Sequence, residues 1–358
     1  LRGAGQENGE DKMEKEKNRK YGTKMTPCGV KKFLASLLKR EAKEVPAVFL
    51  WGPPGIGKSS IVKQVAEEKG IEIIDVRLSL LDAIDLRGIP ATEGKNCFWT
   101  RPPFIPEKGN GILFLDELNT ASPSVQNSAL QLVLDRRVGE HKLGDGWYII
   151  SAGNRLEDSS LVFQLADPLI SRFIHIEVEI NIDEWIAWAM KNEINERIIG
   201  FLKFRPDLLS RINENRNSIN FPCPRTWAFA STLMGSGIDP VEAVESSVGT
   251  GVSAEFSGWL KVYDKLPDVE EILDGKKELK LSEYELSVLC ALGPILVLRA
   301  NTPQRLENLL KILTNIERKW GVYFSTLLFA KFEKEKIVRC KNWKRFYTQY
   351  SDILFEEV

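Results

Sequence analysis

The stretch GPPGIGKSS, residues 52–60, limits what this chain can fold into more than any other. It fits G-x-x-x-x-G-K-[ST]. Before it stands AVFLW (47–51), a short apolar run that predicts a buried strand, and after it a helical pattern from Ser59 to Lys69. Strand, glycine-rich turn and helix in that order make a phosphate cradle. Glycines let successive backbone N–H groups curve around an anion, and the helix N-terminus adds a favourable dipole. The expected contacts come from Gly52, Pro53, Pro54, Gly55, Ile56, Gly57 and Ser60, with Lys58 reaching the β- and γ-phosphates and Ser59 ligating Mg²⁺. A glycine-rich turn with an incidental lysine is the alternative, and the strand and helix on either side argue against it.

GILFLDE (111–117) is a continuous apolar run, as expected of a strand covered on both faces. It places two carboxylates at its carboxyl end, where ligands bind in open α/β sheets. Asp116 is expected to hold Mg²⁺ through its water shell, and Glu117 to polarise an attacking water. An acidic pair alone is equally a solvated strand end. SAGN (151–154) ends the next strand, and Asn154 there can hydrogen-bond the attacking water or the γ-phosphate; a turn-forming asparagine is the other reading.

Around these motifs, VKKFLASLLKREA (30–42) has helical spacing and IEIIDV (71–76) reads as a strand. The segment from Leu80 to Pro106 has poor periodicity and frequent glycine and proline, as an insertion would. Ser122-Pro123 is a helix start, with Val125, Ala129, Leu132 and Val133 on one face of a helix running to about Arg136. VGEHKLGDG (138–146) reads as a hairpin leading into the strand WYIISAGN. Strands alternating with helices at this spacing predict a parallel sheet with helices on both faces. Past about Ile180 only helical patterns remain. The expected division is a disordered tail over 1–27, an α/β nucleotide-binding domain over 28–180, a small helical domain over 181–265 and a helical extension over 266–358.

A formal net charge of −1 and a pI near 6.4 are not those of a dedicated nucleic-acid binder. The tract from Lys331 to Lys336, followed by Arg339, Lys341, Lys344 and Arg345, keeps a local basic surface open. Five scattered cysteines and two histidines offer no structural zinc site. Free thiols and no recognisable signal peptide point to a reducing cytoplasm. The most apolar run, LSVLCALGPILVL (286–298), is too short to span a bilayer and reads as a buried helix, so no membrane partner is expected.

Taken in order, GPPGIGKSS, LDELN, SAGN, ADPLISRF and FPCPRTW resemble the AAA+ ATPases, and within them the MoxR-like group, over about residues 28–265. The resemblance implies a P-loop NTPase of the AAA+ type: an α/β domain that binds and hydrolyses ATP with Mg²⁺, followed by an all-α lid. It implies assembly into a homo-oligomeric ring, commonly a hexamer, with ATP at the subunit boundaries. Asn154 matches the first sensor, Arg172 the arginine finger and Arg225, in PRTW, the second sensor. A local ion pair for Arg172 and a helix cap for Arg225 are the local alternatives. Segments 81–106 and 138–148 resemble elements that face the pore or a substrate in related rings. Trp99, beside Phe98 and Phe104, is then a candidate partner contact. For Arg136 and Arg137 the two readings are a contact with the neighbouring nucleotide and, the better one, a solvated helix end. The implied role is a chaperone or remodelling ATPase with a protein client, alongside a partner carrying a von Willebrand A domain. The alternative is a nucleic-acid-acting motor of the helicase, loader or McrB kind.

Overall fold

The computed structural model describes residues 21–158, 162–211, 219–314 and 316–354. They group into two compact units, Leu1–Ile180 and Asn181–Val358. The first contains the strands β1 (Thr23–Met25), β2 (Ala47–Trp51), β3 (Glu72–Arg77), β4 (Pro90–Glu93), β5 (Asn96–Trp99), β6 (Asn110–Asp116), β7 (Arg137–Val138), β8 (His141–Lys142), β9 (Gly146–Gly153) and β10 (Phe173–Val178).

Six strands form one sheet in the order β1-β10-β2-β9-β6-β3, and every pairing is parallel. The register sets Trp51 against Gly153 on one side and Glu177 on the other, and Asp116 against Arg77. The motif residues therefore collect at one edge, the carboxyl ends of β2, β6 and β9.

Alternation along each strand feeds two cores. Val48, Leu50, Ile112, Phe114, Ile150 and Ala152 face helices Pro27–Leu37 and Lys58–Lys69 through Val30, Leu34, Ile61, Val62 and Val65. Phe49, Trp51, Leu113, Leu115 and Ile149 face helix Pro123–Asp135 through Val125, Ala129 and Leu132. Burying each such large apolar side chain contributes about 1.5–3 kcal/mol. Both faces being covered explains why β2 and β6 read as unbroken apolar runs.

The tail expected over 1–27 ends sooner than that. Tyr21 is buried, Thr23–Met25 extends the sheet beside β10, and a helix capped by the Thr26 side chain starts at Pro27. The rest of that expectation, residues 1–20, lies outside the described residues.

The insertion is a two-stranded hairpin, β4 with β5, and the second hairpin pairs β7 with β8. The two are joined: the Trp99 N–H donates to Glu140 Oε1 at 2.9 Å, and Arg101 Nη1 to the Lys142 carbonyl at 3.0 Å. Phe98 and Trp99 stay exposed at the rim, whereas Phe104 packs against the core.

The second unit is helical among the described residues, and one hydrophobic cluster runs from Trp185 to Tyr350. Its centre is helix Leu286–Arg299, apolar on all sides and buried from Val288 to Val297. Pro294 stands inside that helix. Proline has no N–H to give the carbonyl four residues back. That carbonyl, of Cys290, instead accepts from the Tyr323 hydroxyl at 3.2 Å. Burial pushes the Tyr323 phenol well above its usual pKa, so it stays a donor. Among the described residues no helix is long and apolar enough to cross a membrane.

Candidate functional site

The loop after β2 turns on glycines. Gly55 and Gly57 have φ of 78° and 104°, a region that other residues enter only with strain, and Gly57 leads into the helix that starts at Lys58. Pro53 and Ile56 are buried, Pro54 and Gly55 half-buried, and Ser60 exposed. Lys58 is 8 % exposed, and its ammonium donates to the Gly52 carbonyl at 2.7 Å, the Pro53 carbonyl at 3.0 Å and Asn154 Oδ1 at 3.0 Å. A buried ammonium is stable only when its protons are taken up. Here the loop itself and the end of β9 take them.

Asp116 and Glu117 diverge. Asp116 Oδ2 accepts from Ser59 Oγ at 2.7 Å, joining the end of β6 to the first turn of the loop helix. Glu117 has φ 57°, an uncommon conformation for a residue with a side chain. Its N–H donates back to Asp116 Oδ1 at 2.9 Å, and its carboxylate accepts from the Ser79 hydroxyl, just past β3.

Asn154 is held from behind. Asn119, 1 % exposed, donates from Nδ2 to the Asn154 carbonyl at 2.7 Å and accepts the Asn154 N–H on Oδ1 at 3.1 Å. The clasp requires Gly153, since a Cβ there would lie 2.2 Å from Asn119 Oδ1. Sequence reasoning missed Asn119, although it is the last letter of LDELN. On the far side of Asn154, Arg155 binds Asp158 at 2.6 Å and Glu177 at 2.8 Å. Burial opposes its charge, but these bonds outweigh burial and raise the guanidinium pKa.

Arg172 belongs to the first unit and Arg225 to the second. Arg172 is exposed, and its guanidinium donates to Ser171 Oγ at 3.0 Å. It precedes Phe173, which pairs with Ala47 at the start of β2, whereas the phosphate loop follows Trp51 at the end. At about 3.3 Å per residue the strand alone separates the two edges by about 13 Å. Arg225 is exposed in the second unit, at the second position of helix Pro224–Gly235. Arg136 corrects the expectation of a solvated helix end. It closes helix Pro123–Asp135 at φ 51° and turns inward, donating to the carbonyls of Ala42, Gly144 and Trp147. Burial lowers its pKa. The neighbouring Arg137 is exposed and donates to the Gly139 carbonyl.

These residues fit a magnesium nucleotide. Mg²⁺ keeps several waters and needs few protein ligands beside substrate phosphates, and the Ser59–Asp116 pair is such a set. Among the described residues no cluster of three or more His, Cys, Asp or Glu forms an all-protein metal cage.

Residues 48–180 match the AAA family, ATPases associated with various cellular activities. Among curated proteins, the large subunit of replication factor C from Pyrobaculum calidifontis is 50% identical over 40 residues, 11% of this chain and 10% of that protein. Midasin from Giardia intestinalis is 29% identical over 156 residues, 40% of this chain and 3% of that protein. The chain thus spans only a small part of the curated relatives it matches. Among solved structures, Thermotoga maritima RuvB aligns at a TM-score of 0.37 with 15% identity, covering 89% of this chain and 86% of that one. The parallel sheet with its phosphate loop at residues 48–180 agrees with that match to the AAA family of ATPases.

Proposed function

We propose that this chain hydrolyses ATP with Mg²⁺ as a MoxR-like, ring-forming remodelling ATPase acting on a protein client. The observation that carries this reading is the meeting of Lys58, Ser59, Asp116 and Asn154 at one edge of the sheet while Arg172 lies exposed at the other. Lys58 and the loop amides bind the phosphates, and Ser59 and Asp116 hold the metal. Mg²⁺, when bound, screens charge on the phosphate oxygens. Glu117 orients the attacking water, Asn154 faces the γ-phosphate, and Arg172 supplies positive charge to a neighbour's nucleotide. Arg225 contacts the γ-phosphate from a lid. The joined hairpins with exposed Phe98 and Trp99 offer the client an apolar rim.

Turnover of the Arg172→Ala and Glu117→Gln variants tests the reading. Both should bind ATP. Arg172→Ala should lose about 10³-fold in turnover or more, the range of such arginines, and Glu117→Gln should retain an assembled, client-bound state in a pull-down with ATP. Normal hydrolysis by either removes that residue from the mechanism.

One observation favours the second reading, a nucleic-acid motor. Lys341, Lys344, Arg345, Thr348 and Gln349 line an open cavity of about 520 Å³ in the second unit. ATPase activity stimulated by DNA, with steep salt dependence, would establish that reading instead.

A further inference from the structure

Trp51 is the last residue of β2 and is followed directly by Gly52 of the phosphate loop. Its indole Nε1–H donates to His175 Nδ1 at 2.9 Å, and His175 Nε2 lies 2.8 Å from the Ile170 carbonyl oxygen. An indole nitrogen only donates and a carbonyl only accepts. Both contacts are therefore met by one neutral imidazole, with its proton on Nε2. The Trp51 and His175 rings also stack, with centroids 6.0 Å apart at 27°. Phe49 and Phe173 pack around the imidazole, and Tyr21 against Trp51.

Ile170 ends the short helix Asp167–Ile170, two residues before Arg172. The Arg172 N–H bonds back to Leu169 at 3.2 Å, so the turn that carries Arg172 is continuous with that helix. The series Trp51, His175, Ile170 thus runs along β10 from the edge that bears the loop to the edge that bears Arg172. An apolar residue would fill this aromatic surrounding equally well. The two ring nitrogens are what histidine adds.

We infer that His175 is a positioning residue for Arg172: it fixes the 170–172 turn and, through Trp51, ties that turn to the phosphate loop of the same chain. The inference rests on Arg172 serving a neighbour's nucleotide. A change at one chain's own loop that moves Trp51 then alters the arginine that chain presents next door.

His175→Phe keeps an aromatic ring and removes both hydrogen bonds. Its nucleotide Kd should stay within about twofold, while kcat falls about tenfold, the scale of a small misplacement of a reacting group. His175→Gln, which keeps one acceptor and one donor, should recover part of the loss. In an Arg172→Ala background, His175→Phe should cost nothing more, because both changes act on one element. Wild-type kcat in His175→Phe, or a full tenfold loss added to that of Arg172→Ala, overturns the inference. Should His175→Phe not fold, Trp51→Phe removes the indole donor alone and is read the same way. If Arg172→Ala turns over normally, the role of Arg172 fails and the inference with it; a slow Arg172→Ala beside a fast His175→Phe overturns His175 alone.

Discussion

Asn119 grips the backbone of Asn154 with both ends of its side-chain amide, at 2.7 and 3.1 Å. The side-chain oxygen of that same Asn154 accepts from Lys58. The tip of β9 is therefore aimed at the phosphate loop by a buried residue that grips its backbone from the β6 side.

Asn119→Ala should destabilise the first unit by about 2 kcal/mol, since it removes two hydrogen bonds and strands two buried backbone groups. It should also lower kcat more than nucleotide affinity. Asn119→Asp keeps the acceptor for the Asn154 N–H and loses the donor, so its cost should be intermediate. Gly153→Ala should mimic the defect from the other side, because its Cβ would displace Asn119 Oδ1. Urea unfolding and steady-state ATPase assays check all three; a stable, fully active Asn119→Ala would contradict them.

Ser79→Ala frees the Glu117 carboxylate from its hydroxyl donor. Without that partner the carboxylate can turn toward an attacking water. Basal hydrolysis should rise about twofold to fivefold, a gain of under about 1 kcal/mol in the barrier, with nucleotide affinity unchanged. A fall in turnover would mean that Ser79 positions Glu117 rather than restrains it.

Tyr323→Phe leaves the Cys290 carbonyl without a donor inside the apolar core of the second unit. The expected loss is about 1–3 kcal/mol. Pairing it with Pro294→Ala returns an N–H to that carbonyl, so the double variant should be more stable than Tyr323→Phe alone. Thermal or urea unfolding of the four chains closes the cycle.

The elements and the loop were legible because they depend on local pattern. β2, β6 and β9 fall where their apolar runs stand, and helix Leu286–Arg299 lies where its apolar composition puts it. What escaped depends on pairs distant in sequence. Asn119 and Asn154 are 35 residues apart, and His175 lies 124 from Trp51. Nothing local marks either contact. Arg136 misled for a related reason. A basic residue at a helix end ordinarily meets water, but here the chain folds three carbonyls over it. At the amino end, low hydrophobicity concealed Thr23–Met25. That edge strand is held by backbone pairing to β10, which composition does not report.

Arg172 and the phosphate loop stand at opposite ends of the same strands. A contact that joins one copy's arginine edge to another's loop edge is head-to-tail. Repeated by rotation, such a contact closes into a ring, and without closure it runs on as an open row. An open row of such copies always leaves one loop without an arginine and one arginine without a loop. On the proposed role of Arg172 in a neighbour's site, only closure gives every copy a complete site, and the number of working sites would then report whether the assembly is closed.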